Sequence, residues 1–533
     1  MELYLLILAP ILISLVTYLL PFRKINYLSI AVQIVTLILA VRNLIVIKTT
    51  GMPLEVTIGG DSLMGISLYA DSISSVFVVL VTWLFLIFNI FSSTDYIHDK
   101  LYMFLFLTLE SLIILLFSSR DLFNIFISIE ISIIISAMLI MYKRDSRSIY
   151  DGLLYLMTNT SGMMFYLLGI AMIYKICGGL DIDYLKNTIR LMDAQTLAIP
   201  YALLMVGTGI KCAVIPVFSW LPKAHGTPGA PPIVTAILSG IYIKSSIYLY
   251  IRMRDMFYSV INMDDFFIMI GLITSIFGFV FALCQVDLKL ILAYHTISQL
   301  GLMMIALSIN TPVAQAGGMY HIINHALFKS LLALSAGVII KHYGTRNLYE
   351  INGVMRRIPF AGIATLVGIL GITGAPFFNG SISKYFIQLG THGLWVEKFI
   401  NVINLGTVMS FVKLSNILFD KKKERPRRLR EKKTYSLAMM LLSVQCLFLG
   451  IFGSRFTNYF FDLDLVVDTK LYAIKTLYWL GFIIVGILVY KFIISRYAFF
   501  KKGFAIDLAF NEIVITIVGY FFIILGGLHY LVL

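Results

Sequence analysis

Residues 207–252 read GTGIKCAVIPVFSWLPKAHGTPGAPPIVTAILSGIYIKSSIYLYIR. Two lysines, Lys211 and Lys244, each stand near the middle of a segment otherwise apolar enough to cross a bilayer. Between them Pro216, Pro222, Pro228, Pro231 and Pro232 accompany Gly226 and Gly229, so the first of the two helices must break. A charge at the centre of a bilayer costs about 3 kcal/mol or more, so it faces protein or water and marks an ion path. Broken membrane helices persist only where the freed backbone groups find partners in protein or in a water-lined cavity. The stretch reads as an ion-conducting site inside a membrane protein.

The rest of the chain has the same character. Its 533 residues are 59% hydrophobic and 13% charged, which excludes a soluble domain. Apolar segments of about 20 residues, enough for a spanning helix, recur from end to end. Helices are expected near 3–21, 26–47, 72–91, 101–118, 121–142, 151–176, 198–220, 232–252, 266–285, 288–308, 313–340, 358–390 (broken), 398–418, 436–453, 471–494 and 508–532. The expected class is an all-α polytopic membrane protein with about 14–16 crossings. Met1–Leu20 lacks a basic leading segment and continues past Pro21 into another apolar run, so it reads as a retained helix. Thr49–Leu68 is polar, Gly-rich and weakly alternating, which predicts a small hairpin on the outer face. The cysteines Cys177, Cys212, Cys284 and Cys446 form no CxxC pair, so they read as small buried hydrophobes.

The net charge of +14 follows a membrane logic and implies no nucleic acid. Lys and Arg concentrate in the odd-numbered connections, among them Lys421–Lys433 (KKKERPRRLREKK). That bias places these connections in the cytoplasm and both termini outside, in the cell membrane. The tract orients the chain and meets anionic lipids, with docking of a partner protein as the alternative. Asp181, Asp183 and Asp193 make an acidic outer loop that reads as solvated.

Further ionisable residues fall inside expected spans. Glu130 lies mid-helix in DLFNIFISIEISIIISAMLI and Glu110 in FLFLTLESLIILLF, with no cation in either segment. A lone buried carboxylate takes up a proton or pairs with a cation on another helix, and Lys211 and Lys244 are candidates. In HIINHALFKSLLAL, His321, His325 and Lys329 are spaced i, i+4, i+8, which lines them along one helix face about 6 Å apart, a proton-relay geometry. Zinc is disfavoured, since neither Cys nor carboxylate accompanies the histidines. Gly371, Gly374 and Pro376 break the 358–390 span ahead of Lys384 in GAPFFNGSISKYF. Lys413 ends a span and reads as snorkelling to the interface. His225 and His295 are placed near helix ends, at the periphery. A single such residue can be a structural ion-pair partner; two breaks with lysines, a glutamate and a His–His–Lys face together point to ion conduction.

The breaks also divide the chain. Residues 1–100 hold three helices and the hairpin, 101–255 and 256–420 hold five spans each, and 421–533 hold the basic connection and the last helices. The interrupted span is fourth in each five-span set, and because five is odd the second set must be inverted. Inverted repeats with interrupted helices are a transporter pattern.

The segments DLFNIFISIE, IPVFSWLPKAHGTPGAPPIVTAILSGIYIKSSIYLYIR, DLKLILAYHTISQLGLMM, HIINHALFKSLLALSAGVI and GAPFFNGSISKYF, in this order, resemble the signatures of the antiporter-like proton-translocating subunits. That family is shared by respiratory complex I, Mrp-type cation/proton antiporters and membrane-bound hydrogenases. The resemblance covers roughly Tyr69–Phe419, and PGAPP and DLFNIF look most like the Mrp D-type branch and its hydrogenase relatives. It implies that Glu130 is the family's buried glutamate and Lys211 its broken-helix lysine. It likewise implies that Lys244 is the central lysine, that His321, His325 and Lys329 form the relay, and that Lys384 is the terminal lysine. One complex I branch has Glu at this last position.

These residue types predict a mechanism. A desolvated lysine yields its proton more readily, and a neighbouring carboxylate opposes that. Glu130 is expected to pair with Lys211 in one state; separation makes Lys211 a donor toward Lys244, and the proton continues by His321, His325 and Lys329 to Lys384. No cluster cysteines, nucleotide loop or flavin motif is visible, so no cofactor and no catalytic redox site are expected in this chain. The implied partners are other membrane subunits, antiporter-like or small cation-channel, and a peripheral hydrogenase or redox arm. The other function class is a stand-alone secondary transporter of a small solute or cation, which would need a mixed polar and aromatic cavity rather than a file of titratable groups.

Overall fold

A computed structural model describes residues 3–19, 25–58, 66–95, 99–419, 430–497, 500, 503 and 506–532. The chain opens with α1 (Leu3–Leu19) and α2 (Ile25–Thr50), then the strands β1 (Leu54–Ile58) and β2 (Ile66–Ala70). Next come α3 (Ser72–Ser92), α4 (Lys100–Phe117), α5 (Leu122–Ile140), α6 (Ser146–Cys177), the short α7 (Ile182–Ile189) and α8 (Ala194–Lys211). A short, two-turn helix α9 (Trp220–Gly226) leads to a continuous rod made of α10 (Pro232–Ile237), a π-helical turn (Leu238–Tyr242) and α11 (Ile243–Phe257). The second half contains α12 (Asp264–Cys284), α13 (Leu288–Ser308), α14 (Pro312–Tyr343), α15 (Val354–Arg357), α16 (Pro359–Thr373), α17 (Asn379–Gly390) and α18 (Val396–Ser415). The last helices are α19 (Lys433–Ile451), α20 (Gly453–Phe461), α21 (Thr469–Val489, running into a π turn to Ile494) and α22 (Phe510–Leu531).

Twelve of the described helices are long and apolar enough to cross a membrane. The expected sixteen differ from these by α1 and α16, which are apolar but shorter, and by α8 and α18, whose polar residues lower their hydropathy. Charged residues gather at helix starts. Asp71, Asp99, Asp121, Asp145, Asp181, Asp287 and Asp468 each accept a backbone N–H at the N-cap of α3, α4, α5, α6, α7, α13 and α21. Such caps satisfy donors that a helix leaves free, and a negative charge suits the positive end of the helix dipole.

The expected hairpin forms: β1 and β2 pair antiparallel with Leu54 opposite Ala70 and Val56 opposite Leu68. It is stapled down by Arg120, whose guanidinium reaches Glu55 at 2.9 Å, Asp181 at 2.5 Å and Asp183 at 3.3 Å. The acidic loop is therefore in part an ion-pair clamp on the hairpin, which corrects the reading of it as merely solvated.

Three rods sit at the centre. The α10–α11 rod and α14 are buried along their whole apolar windows and α13 nearly so, whereas α2, α21 and α22 bury only a minority of theirs. Exposed Ile, Leu, Phe and Val side chains on α2, α5, α6, α12, α19, α21 and α22 form the apolar outer surface. Residues 420–429, most of the basic tract, lie outside the described residues. Lys432 at its end pairs with Asp95 at 2.5 Å.

Candidate functional site

Both helix breaks are built so that a polar side chain takes up what the backbone loses. α8 stops at Lys211 rather than continuing to 220, because Pro216 brings no N–H and Ala213 lies at φ 50°. Trp220 Nε1 donates to the Ile210 carbonyl at 2.9 Å, and the Ile215 N–H donates to Thr274 Oγ1 at 3.1 Å. The second break runs from Gly374, at φ 78°, through Pro376 to Phe378. Lys384 folds back from α17, donates to the freed Ile372 carbonyl at 2.8 Å, and passes so close to Gly374 that a Cβ there would lie 3.1 Å from Lys384 Cδ. Asn324 of α14 and Asn379 of α17 clamp the break by mutual amide-to-carbonyl bonds of 2.9 and 3.2 Å.

The central rod carries an unexpected feature. Its π turn, Leu238–Tyr242, lies just ahead of Lys244, and the Lys244 ammonium donates to the carbonyl of Ser239 inside that turn. π turns loosen the regular ladder and recur at functional sites. Gly240 lies within the turn, where a side chain would collide with Ser330 Oγ of α14. Lys244 is wholly buried.

On α14 the His–His–Lys face is as expected. His321, His325 and Lys329 are buried, and the two imidazole centroids lie 6.2 Å apart. His321 is held by Ser383 at 2.9 Å on one nitrogen and by Gln299 at 3.0 Å on the other. Among the described residues neither nitrogen of His325 meets a hydrogen-bond partner. Lys329 donates to the Leu292 carbonyl at 2.5 Å. The charges of Lys244, Lys329 and Lys384 all act on His325, so the rods converge on one electrostatic unit.

Two histidines were misplaced by the sequence reading. His225 and His295 are fully buried, and among the described residues no ring nitrogen of either has a hydrogen-bond partner. His225 is within electrostatic reach of Lys244, Lys289 and Lys329, and His295 of Lys329 and Lys384. His225 sits in α9, which packs back against α13, and His295 is two turns inside α13, so neither is peripheral.

Glu130 and Lys211 are near each other without touching. Lys211 donates to the Tyr242 hydroxyl at 2.9 Å and sits 4.3 Å from the centre of its ring. Glu130 is half-buried, accepts from Thr160 at 3.5 Å, and feels the Lys211 charge. Tyr242 also meets Ser132 of the Glu130 helix at 3.1 Å. Tyr242 was not anticipated, because an aromatic in an apolar run looks like core.

Glu110 and Lys413 stand apart from this file. Glu110 is buried and accepts from the Gln33 amide at 2.7 Å; Gln33 in turn accepts from Asn89 at 2.8 Å, which also donates to Ser29. It thus has an amide rather than a lysine for partner. Lys413 does not snorkel. It is buried and donates to the carbonyls of Leu283 and Gln285 at 2.7 and 2.6 Å, closing the C-terminal end of α12. Among the described residues no group of three or more His, Cys, Asp or Glu is arranged to hold a metal ion.

The arrangement places wholly buried amines and imidazoles in series across two broken helices. Residues 119–410, the span containing it, match the family described as NADH:quinone oxidoreductase/Mrp antiporter, TM. The D-type Na(+)/H(+) antiporter protein of Alkalihalophilus pseudofirmus is 30% identical over 339 residues, 61% of this chain and 67% of that protein. Hydrogenase-4 component B of Escherichia coli is 26% identical over 438 residues, 73% of this chain; the match spans 63% of that relative, less than two thirds of its length. The N-type NADH-quinone oxidoreductase protein of Desulforudis audaxviator is 28% identical over 361 residues, 65% of this chain and 71% of the relative. The same fold occurs in the membrane-bound sulfane sulfur reductase, an archaeal respiratory membrane complex (TM-score 0.81, 22% identity, 90% of this chain and 99% of that one). It occurs also in the Mrp complex from Dietzia sp. DQ12-45-1b (TM-score 0.77, 21% identity, the same coverages).

Proposed function

Since this chain belongs to the NADH:quinone oxidoreductase/Mrp antiporter family, we propose that it is the proton-translocating subunit of a multi-subunit ion-pumping membrane complex. The observation that carries this reading is the file Lys211, Lys244, Lys329, His325, His321 and Lys384, buried between two helix breaks, with His225 and His295 beside it. Amines and imidazoles accept and release protons, and they offer a bare metal cation no ring of oxygens. Each proton added to the unit opposes the next through charge repulsion in a poorly screened interior, so protons pass singly. Glu130 sets the charge at the Lys211 end, and a partner that shifts the Glu130–Lys211 distance drives the file as an electrostatic switch.

The partners are other membrane subunits of the same complex, as the relatives named for hydrogenase-4, NADH-quinone oxidoreductase and Na(+)/H(+) antiport support. The chain sits in the cell membrane with both termini outside, and carries no cofactor of its own. The interrupted stretches 212–219 and 374–378 support reading 101–255 and 256–420 as inverted five-helix repeats, with 1–100 and 421–533 as flanking units. Purifying the chain from its native membrane, identifying the subunits that accompany it and measuring proton uptake by the reconstituted complex tests the proposal. Wild-type uptake with Lys384→Ala, or a chain that purifies alone and transports a solute, contradicts it.

A further inference from the structure

A file that ends at Lys384 needs a way out, and Lys384 is itself sealed. Its ammonium is buried and spent on the Ile372 carbonyl. One helical turn earlier on the same face of α17 stands Ser381, and there the C-terminal helix α21 reaches in. Lys475 of α21 donates to the Ser381 carbonyl and, at 3.0 Å, to its hydroxyl. Tyr472, one turn before it, joins the same hydroxyl at 2.8 Å. The flanking residues Ile474, Leu477 and Tyr478 point outward and are exposed, whereas Lys475 turns inward and is half-buried. A lysine that merely snorkelled from an exposed helix would turn the other way. The Lys384 charge reaches Lys475. Lys475 also lines a cavity of about 290 Å³ that opens past Tyr385 and Gln388 to the His392–Glu397 pair between α17 and α18.

We propose that Lys475 is the exit residue of the file, taking the proton from Lys384 through the Ser381 hydroxyl and delivering it to this cavity, on the face opposite the basic connection. The inference rests on the proton path proposed above. In the step, the Lys384 ammonium loses one proton and becomes a neutral amine. The Ser381 hydroxyl receives that proton while passing its own to the Lys475 amine. Lys475, now an ammonium, releases it to water in the cavity, and Lys384 is ready to be recharged from His321. α21 thereby has a role in conduction, and does more than cover the second half of the chain.

The test uses the whole complex in vesicles, with Lys475→Ala, Lys475→Arg and Lys475→His beside Lys384→Ala. An exit residue must exchange its proton, so Ala and Arg are expected to lower proton uptake at least tenfold, and His, which titrates, to keep most of it. Arg at wild-type uptake overturns the inference, because charge alone then suffices; Ala at wild-type uptake overturns it outright. If Lys384→Ala abolishes uptake while Lys475→Ala does not, only the exit is wrong. If Lys384→Ala is also silent, the path itself is wrong. Should the Lys475 variants fail to assemble, Gln388→Cys in the cavity wall decides. Modification of that thiol by a membrane-impermeant sulfonate reagent is expected to cut uptake severalfold, reversibly with thiol reductant, and full uptake after complete modification overturns the exit.

Discussion

Lys211 spends its hydrogen bond on the Tyr242 hydroxyl, 2.9 Å away, and not on Glu130. Tyr242 belongs to the π turn that precedes Lys244, so one side chain touches the first lysine while its backbone shapes the site of the second. It also meets Ser132 on the Glu130 helix. The ammonium of Lys211 thus has the Tyr242 hydroxyl, and not the Glu130 carboxylate, as its acceptor.

Tyr242→Phe keeps the ring under Lys211 and removes the hydroxyl. Coupled proton uptake is expected to fall roughly tenfold with assembly unchanged, in the range usual for one positioned proton-transfer group. Glu130→Gln is expected to impair uptake likewise without unfolding, since a neutral amide cannot hold the Lys211 charge. Wild-type uptake with Glu130→Gln removes Glu130 from the mechanism. A double-mutant cycle between the two positions is expected to be non-additive, because both act on Lys211.

Much of this was legible in the residues. Proline and glycine clusters located both breaks, and the four-residue spacing on α14 gave its His–His–Lys face, because both signals are local. What was not legible depends on which helices meet. His225 and His295 were set at the rim because their own windows run out there, yet α13 and α9 fold into the centre. Lys413 was read as reaching for the interface, whereas the unsatisfied carbonyls at the end of α12 lay closer. Lys475 carries no local signal in the second turn of α21, and only the position of α21 against α17 gives it a partner. The π turn followed from the approach of α14 to Gly240, a contact that no window of sequence contains.

Sidedness gives a second prediction. Arg430 and Asp193 are both exposed, at the end of the basic tract and in the loop before α8. Cysteines introduced there are expected to react with an impermeant maleimide from opposite faces of the membrane, Arg430→Cys from the cytoplasm. Labelling of both from one face refutes the topology.

A third prediction concerns acid. Asp71 caps α3 and accepts from Arg252 at 2.6 Å. Burial by itself raises its carboxyl, but the Arg252 guanidinium and the Ser74 N–H outweigh that and hold it below the usual carboxylate value. A carboxylate lowered in the folded state stabilises the protein fully above its unfolded value, about 4, and that contribution is lost as pH falls through the lower folded value. Asp71→Asn is therefore expected to lower the melting temperature of the detergent-solubilised protein at neutral pH, by less as the pH drops below about 4. An equal loss at every pH shows that the Asp71 charge contributes nothing.

On the proposed function this chain carries protons, and any Na⁺ exchanged by its complex crosses elsewhere. Lys244 is a wholly buried amine on the central rod, linked electrostatically to Lys329 and His325. The most direct measurement is paired ion flux, protons and ²²Na⁺, in vesicles holding the whole complex or this chain alone, with and without Lys244→Ala. Lys244→Ala is expected to lower proton flux by about a hundredfold in the complex, and the isolated chain to show no saturable ²²Na⁺ uptake. Saturable ²²Na⁺ uptake by the isolated chain, lost on Lys244→Ala, would contradict it.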